Sequence, residues 1–148
     1  GIIDNPITDP TQRDEFIAAT GGWPSLCEKY LNQIRARAVV PEVIARANAF
    51  PVNAEEARQF LTEVGLTDGR DLAVLGPWAA LVPKDDVVSQ ADLVAVIESD
   101  LADLSMLIDR LQVLSVIGER STESGPGFVL NDVVRRSLIA AGAADASR

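Results

Sequence analysis

Histidine is absent from this 148-residue chain, and cysteine, methionine and tyrosine occur once each, as Cys27, Met106 and Tyr30. Without an imidazole there is no Ser-His-Asp triad, no Cys-His dyad and no histidine-ligated metal. A lone cysteine makes neither an internal disulfide nor a cysteine-rich zinc site. No apolar run reaches the ~20 residues of a transmembrane helix, so no membrane is expected. No basic segment followed by an apolar one opens the chain, as a secretion signal would. The single thiol agrees with a reducing cytoplasm. Carboxylates, hydroxyls, two lysines and the backbone remain for chemistry, which points to a binding or regulatory module and not an enzyme.

What is present suits a packed core. Apolar residues make up 47% of the chain and charged residues 24%, with a net charge of −9. A chain of this size buries roughly 70% of its unfolded surface. Length alone predicts one domain, but the charge is unevenly placed. Residues 1–52 hold six acids against five bases, while residues 53–148 hold 16 acids against eight bases. That asymmetry suggests two modules. Eleven arginines against two lysines fit a GC-rich bacterial genome, and a first residue of glycine, not methionine, suggests a tag scar or a segment of a longer protein.

Punctuation and periodicity divide the chain further. Residues 1–12 read as an extended lead-in, with Asp9 or Thr11 capping a helix over Asp14–Ala19 that Gly21-Gly22 ends. Pro24 opens a second helix, whose stripe is Leu26, Tyr30 and Ile34, with Cys27 beside it as a buried small hydrophobe. Pro41 starts a short helix over Glu42–Ala49. Asn53 caps a helix to about Val64, with Glu55 and Glu56 in its favourable first turn and Gly65 at its end. A helix over Asp71–Ala80 is expected to kink or split at Gly76-Pro77. Asp85-Asp86 read as cap and first-turn acids. Ser89 caps Gln90–Ile97, with Asp92 in a box-like position. Glu98-Ser99 turn into the longest helix, Asp100–Leu114, whose Leu101, Leu104, Ile108, Leu111 and Leu114 form one face. The only β signal is a hairpin, Val116–Arg120 and Phe128–Leu130, around a loop over Ser121–Gly127. A last helix covers Asp132–Ala141, and a short disordered tail follows.

Two helices joined by a tight turn and followed by a hairpin read as helix-turn-helix plus wing, with the helix at 71–82 completing the core. The expected fold is therefore mainly α. A small helical subdomain over 1–52 precedes a winged-helix domain over 53–148. DNA binding is the obvious function for such a domain, with residues 100–114 in the major groove. Charge argues against it. From Asp85 to Asp109 there are seven acids and no base. A DNA-reading face must instead offset phosphates with Lys and Arg. Arg110 cannot compensate by itself; Arg120, Arg135 and Arg136 offer a few phosphate contacts at most.

Two motifs resemble a known family. Thr20-Gly21-Gly22-Trp23-Pro24, followed by an amphipathic helix, is similar to the TGGxP segment in the helical lid of STAND-type and archaeal-type AAA+ ATPases. Gly127–Leu138, with Asn131-Asp132 and Arg135-Arg136, is similar to the end of the winged helix that follows that lid. The resemblance spans about residues 12–141. It implies that Pro24, with Gly22 before it, lies against the adenine of a bound nucleotide. It also marks Asn131 as standing where many members place a phosphate-reaching histidine; an amide donates a hydrogen bond but carries no charge. Residue chemistry offers plainer roles: Gly-Gly-x-Pro punctuates helices, Trp23 anchors a core and Asn131 caps the last helix. No G-x-x-x-x-G-K-[ST] loop is present, so this chain has no phosphate cradle of its own.

The leading expectation is a non-catalytic regulatory and protein-interaction region of a larger STAND- or AAA+-like ATPase. Its acidic winged helix would pack on the nucleotide domain or on a partner, controlling a signalling or defence switch. Cofactor-binding candidates are Gly22, Pro24 and Asn131, toward ATP or ADP in the full-length protein. No catalytic or metal residue is expected. The alternatives are a winged-helix transcriptional regulator and a stand-alone adaptor or dimerisation module.

Overall fold

The computed structural model describes residues 6–97 and 101–142, apart from the side chains of 96, 97 and 101–103. It is mainly helical with one small antiparallel sheet, and it divides into two compact units between Phe50 and Pro51. The division expected from sequence lay two residues later.

Unit one holds α1 (Pro10–Thr20), α2 (Pro24–Arg35) and α3 (Val40–Asn48). The first helix starts four residues earlier than expected. Asp9 accepts a hydrogen bond from the Thr11 N–H at 3.0 Å, and Pro10 takes the first helical position, where its missing N–H costs nothing. The end of the lead-in is tied down, because Arg13 Nε donates to the Ile7 carbonyl at 2.6 Å and Ile7 is buried. Leu26, Tyr30 and Ile34 are buried together, as their spacing requires, and α2 packs on α3, whose Val43, Ile44 and Ala47 are also buried. Cys27 is only half-buried, because it lies at the edge of that stripe.

Unit two holds α4 (Ala54–Val64), α5 (Gly69–Leu81), β1 (Val88–Ser89), α6 (Gln90–Ile97), α7 (Leu101–Val113), β2 (Ile117–Thr122), β3 (Gly125–Leu130) and α8 (Asp132–Ala140). Asn53 caps α4 by accepting from Glu56 N–H at 2.8 Å, and the Glu56 carboxylate accepts from Val52 N–H at 3.1 Å. The sheet order is β1-β3-β2, with Val88 opposite Phe128 and Ile117 opposite Leu130. Helix α8 packs on α4 and α5, α6 packs on α5 and the sheet, and α7 packs on β2. Trp78, Leu75, Leu93, Leu104, Leu111 and Leu138 are all nearly or fully excluded from water between them. Each such side chain contributes about 1.5–3 kcal/mol of transfer free energy.

Four expectations need correction. Helix α5 runs through Gly76-Pro77 without the split that was one of the two outcomes expected there. Proline removes one hydrogen bond there, but Leu75, Gly76, Trp78 and Ala79 are buried around it and hold the turn in place. Strand β1 is the second correction, since residues 88–89 add a third strand to the hairpin. Asp85-Asp86 consequently sit in the turn before it, with Asp85 at φ 65° and the Asp86 N–H donating to the Pro83 carbonyl at 3.2 Å. Finally, the hairpin turn is two residues, Glu123-Ser124, not seven. Pro126 and Gly127 belong to β3, opposite Ser121 and Arg120, and a Cβ added to Gly127 would clash with Val87 Cγ1. That glycine serves the approach of another strand and not a loop. The expected turn at Glu98-Ser99, the start of the long helix at Asp100 and the tail beyond Gly142 lie outside the described residues.

Candidate functional site

The α1–α2 junction holds two of the candidate residues. Gly21 and Gly22 follow one another at φ 63° and 73°, a left-handed pair that L side chains rarely adopt. Buried Thr20 organises the bend. Its hydroxyl donates to the Phe16 carbonyl at 2.9 Å, accepts from Gly22 N–H at 3.4 Å and lies 3.3 Å from Cys27 Sγ. Pro24 then occupies the first position of α2. Gly22 and Pro24 are exposed, and a Cβ built on Gly22 would meet nothing within 4 Å. The junction therefore offers bare backbone and a rigid pyrrolidine face, suited to contact with a flat apolar group. Trp23 is half-buried.

Asn131 belongs to the other unit, where it caps α8. Its Oδ1 accepts from the N–H groups of Val133 at 2.9 Å and Val134 at 3.3 Å, and its own N–H donates to the Val116 carbonyl at 2.9 Å. It also lines an open cleft of about 330 Å³ at the root of the hairpin, with Gln112, Ser115, Ile117, Gly118, Arg120 and Val129. Arg120 supplies the charge in that lining. Its guanidinium donates to the Glu119 carbonyl at 2.9 Å and lies over Gly118, where an added Cβ would stand 3.0 Å from Nη1. Ser115 closes α7 at φ 63° in a Schellman arrangement, with Val116 N–H donating to Leu111 O and Ser115 N–H to Gln112 O.

Two charge clusters join residues distant in the sequence. Asp132 gathers Lys84 at 3.7 Å, Arg135 at 3.9 Å and Arg136 at 3.2 Å. Two of the three arginines considered for phosphate contacts, Arg135 and Arg136, are therefore turned toward a carboxylate of their own helix. On another helix pair, Arg110 of α7 reaches back to α5, placing Nη2 2.9 Å from Asp71 Oδ2 and Nη1 3.9 Å from Asp68 Oδ2. The Asp71 side chain is 1% exposed, and neither of its oxygens has a well-aligned hydrogen bond, so the Arg110 contact acts as an ion pair. Burial pushes the Asp71 carboxyl above the ordinary carboxylate range, with Arg110 pulling it down and Asp68 pushing it up. A hint existed, because Asp71 interrupts an otherwise apolar helix, but its partner lies two helices away in the sequence.

Among the described residues no group of three or more acidic or cysteine side chains is placed to hold a metal, and no helix is long and apolar enough to cross a membrane. No family model, curated protein or solved structure matches the chain.

Proposed function

We propose that this chain is a non-catalytic regulatory and protein-interaction region: a helical lid-like unit followed by a winged-helix unit, belonging to a larger STAND- or AAA+-like ATPase. The order α5-β1-α6-α7-β2-β3 with strand order β1-β3-β2 supports the winged-helix reading. The exposed Gly22–Pro24 corner supports contact of the first unit with a planar base in the complete protein. In the second unit the acidic face packs on the nucleotide domain or on a partner and so holds or releases a switch.

The observation that carries the choice of protein over DNA is the fate of Arg110. It is the first base after a stretch of seven acids, and its guanidinium lies against Asp71 and Asp68. A helix whose one cation is engaged by two carboxylates has little with which to offset phosphates. An electrophoretic mobility assay at low salt, where phosphate attraction is strongest, is expected to show no retardation of duplex DNA. A retarded band would overturn this reading in favour of a transcriptional regulator. The nucleotide link is tested by calorimetry on the complete reading frame. ADP or ATP is expected to bind, and Pro24→Ala to weaken it; no heat of binding would leave a stand-alone adaptor.

A further inference from the structure

We propose that the outer edge of β2 is a strand-addition site for an extended segment of a protein partner, one that sets an acidic residue opposite Arg120 and an apolar residue opposite Gly118. This rests on the reading of the second unit as protein-packing and not DNA-reading. Strand β2 ends the sheet, with β3 on one side and, among the described residues, no strand on the other. Its rungs have a fixed phase. Asn131 N–H donates to the Val116 carbonyl at 2.9 Å, and the β2–β3 register extended by one step sets those two residues opposite each other. Rungs alternate along an antiparallel ladder, so Gly118, Arg120 and Thr122 bond to β3 through their backbone groups. Those of Glu119 and Ser121 point outward, and both residues are exposed. One outward acceptor is already in use: Arg120 folds back over Gly118 and donates to the Glu119 carbonyl at 2.9 Å. A side chain of β2 itself thus stands where the N–H of an added strand would dock.

The backbone decides the class of occupant. A row of outward N–H and C=O groups is satisfied together by another extended backbone. A contact of two rungs has a precedent in this sheet, because β1 joins the far side of β3 through Val88 and Ser89 alone. Side chains then select the sequence. Gly118 and Arg120 share the face that carries the hairpin-root cleft, and Glu119 lies on the other face. Arg120 is charged and every other residue lining that cleft is neutral. An incoming N–H takes over the Glu119 carbonyl, and the displaced guanidinium pairs with a carboxylate opposite it. Bare Gly118 then admits an apolar side chain toward Val129, its neighbour on β3. A second copy of this chain fits poorly. The two-fold register that joins Glu119 to Ser121 sets Arg120 opposite Arg120, and the one centred on Glu119 opposes that residue to itself.

The test uses the whole chain and a short fluorescein-labelled peptide with Glu-Lys-Ile at its centre, which in antiparallel addition meets Arg120, Glu119 and Gly118 in turn. Anisotropy is expected to show saturable binding. Methylating the backbone nitrogen of the peptide lysine removes the donor to Glu119 and should weaken binding about tenfold. Methylating the isoleucine nitrogen, which points away from β2, should leave binding unchanged. Arg120→Glu, and a peptide with lysine in place of its glutamate, should each weaken binding about threefold, and the two together should restore it. Arg120 is exposed, so the variant should keep its thermal unfolding midpoint. Amide exchange should slow at Glu119 and Ser121 on peptide addition. No binding, or equal binding by the two methylated peptides, would overturn the proposal. So would protection confined to another element, or a charge swap that fails to restore affinity. Self-association of the chain that protects the same two amides would give the edge to a second copy, also overturning it. Failure of the underlying reading is separate: it shows as DNA retardation, whatever the peptide does.

Discussion

Replacing Arg110 by methionine keeps the packing of the aliphatic stem but strips a buried carboxylate of its cation. The Nη2–Oδ2 contact of 2.9 Å is a close ion pair to a side chain that is 1% exposed. Polar contacts to a charged group contribute about 1.5–3 kcal/mol net, and removing one partner of a fully buried pair costs about 3–5 kcal/mol. Arg110 itself is 48% exposed, so water screens the pair and the lower range applies. Arg110→Met is expected to cost about 2 kcal/mol at pH 7, on the order of 10 °C in melting temperature for a unit of this size. The cost has a pH signature. Burial raises the folded-state pKa of Asp71 above its unfolded value, so the folded state holds the proton more tightly. Stability from this group is greatest below the ordinary carboxylate value of about 3.9 and falls as pH rises through the folded pKa. Losing Arg110 raises that pKa further and widens the window. The penalty should therefore be smallest near pH 4 and grow with pH until the carboxyl is ionised. Urea unfolding followed by far-ultraviolet circular dichroism across this range measures it. Asp71→Asn should cost less than Arg110→Met at neutral pH, and Arg110→Met in that background should add less than about 1 kcal/mol. A penalty that is flat with pH, or unchanged when Asp71→Asn is already present, would refute the account.

Asn131→Ala should destabilise by about 0.5–2 kcal/mol through loss of the α8 cap, while Asn131→Asp keeps it; thermal unfolding separates the two. Gly127→Ala should cost about 1–3 kcal/mol because its Cβ meets Val87, and Val87→Ala in the same chain should restore most of that in a denaturant titration. Ser115→Gly and Arg37→Gly both relieve left-handed backbone at helix ends. Each should gain up to about 1 kcal/mol, less the greater unfolded-chain entropy of glycine, read as a rise in midpoint.

Local chemistry was the legible part of this chain. Asn53, Gly65, Pro24 and the Ser89–Asp92 pair announce helix ends because each acts within three or four residues of itself. The Leu26-Tyr30-Ile34 stripe announces a buried face for the same reason. The misreadings share one cause, a residue chosen for a distant neighbour. Gly127 looks like loop chemistry until Val87 is seen beside it, and Val88-Ser89 is too short to show any alternation. Asp71 shows as an oddity in an apolar helix, but only the fold supplies Arg110. Of the candidate site residues, Gly22 and Pro24 were legible as a junction. The hairpin-root cleft around Asn131 draws on α7, β2 and β3 together and had no linear signature.

The two-residue strand β1 also governs how the second unit assembles. Val88 pairs with Phe128 across about forty residues of chain, and everything from α6 to β2 lies inside that loop. The β2–β3 hairpin closes over a two-residue turn and can form quickly, whereas the β1 rungs must wait for loop closure. Ser89 ties the two together, because it pairs with Gly127 in the sheet and also accepts the N–H of Asp92 at the start of α6. Sheet closure and helix nucleation are thus coupled through one residue. A force that draws α6 away from the sheet would act directly on this two-rung seam, since α6 packs on both β1 and β3.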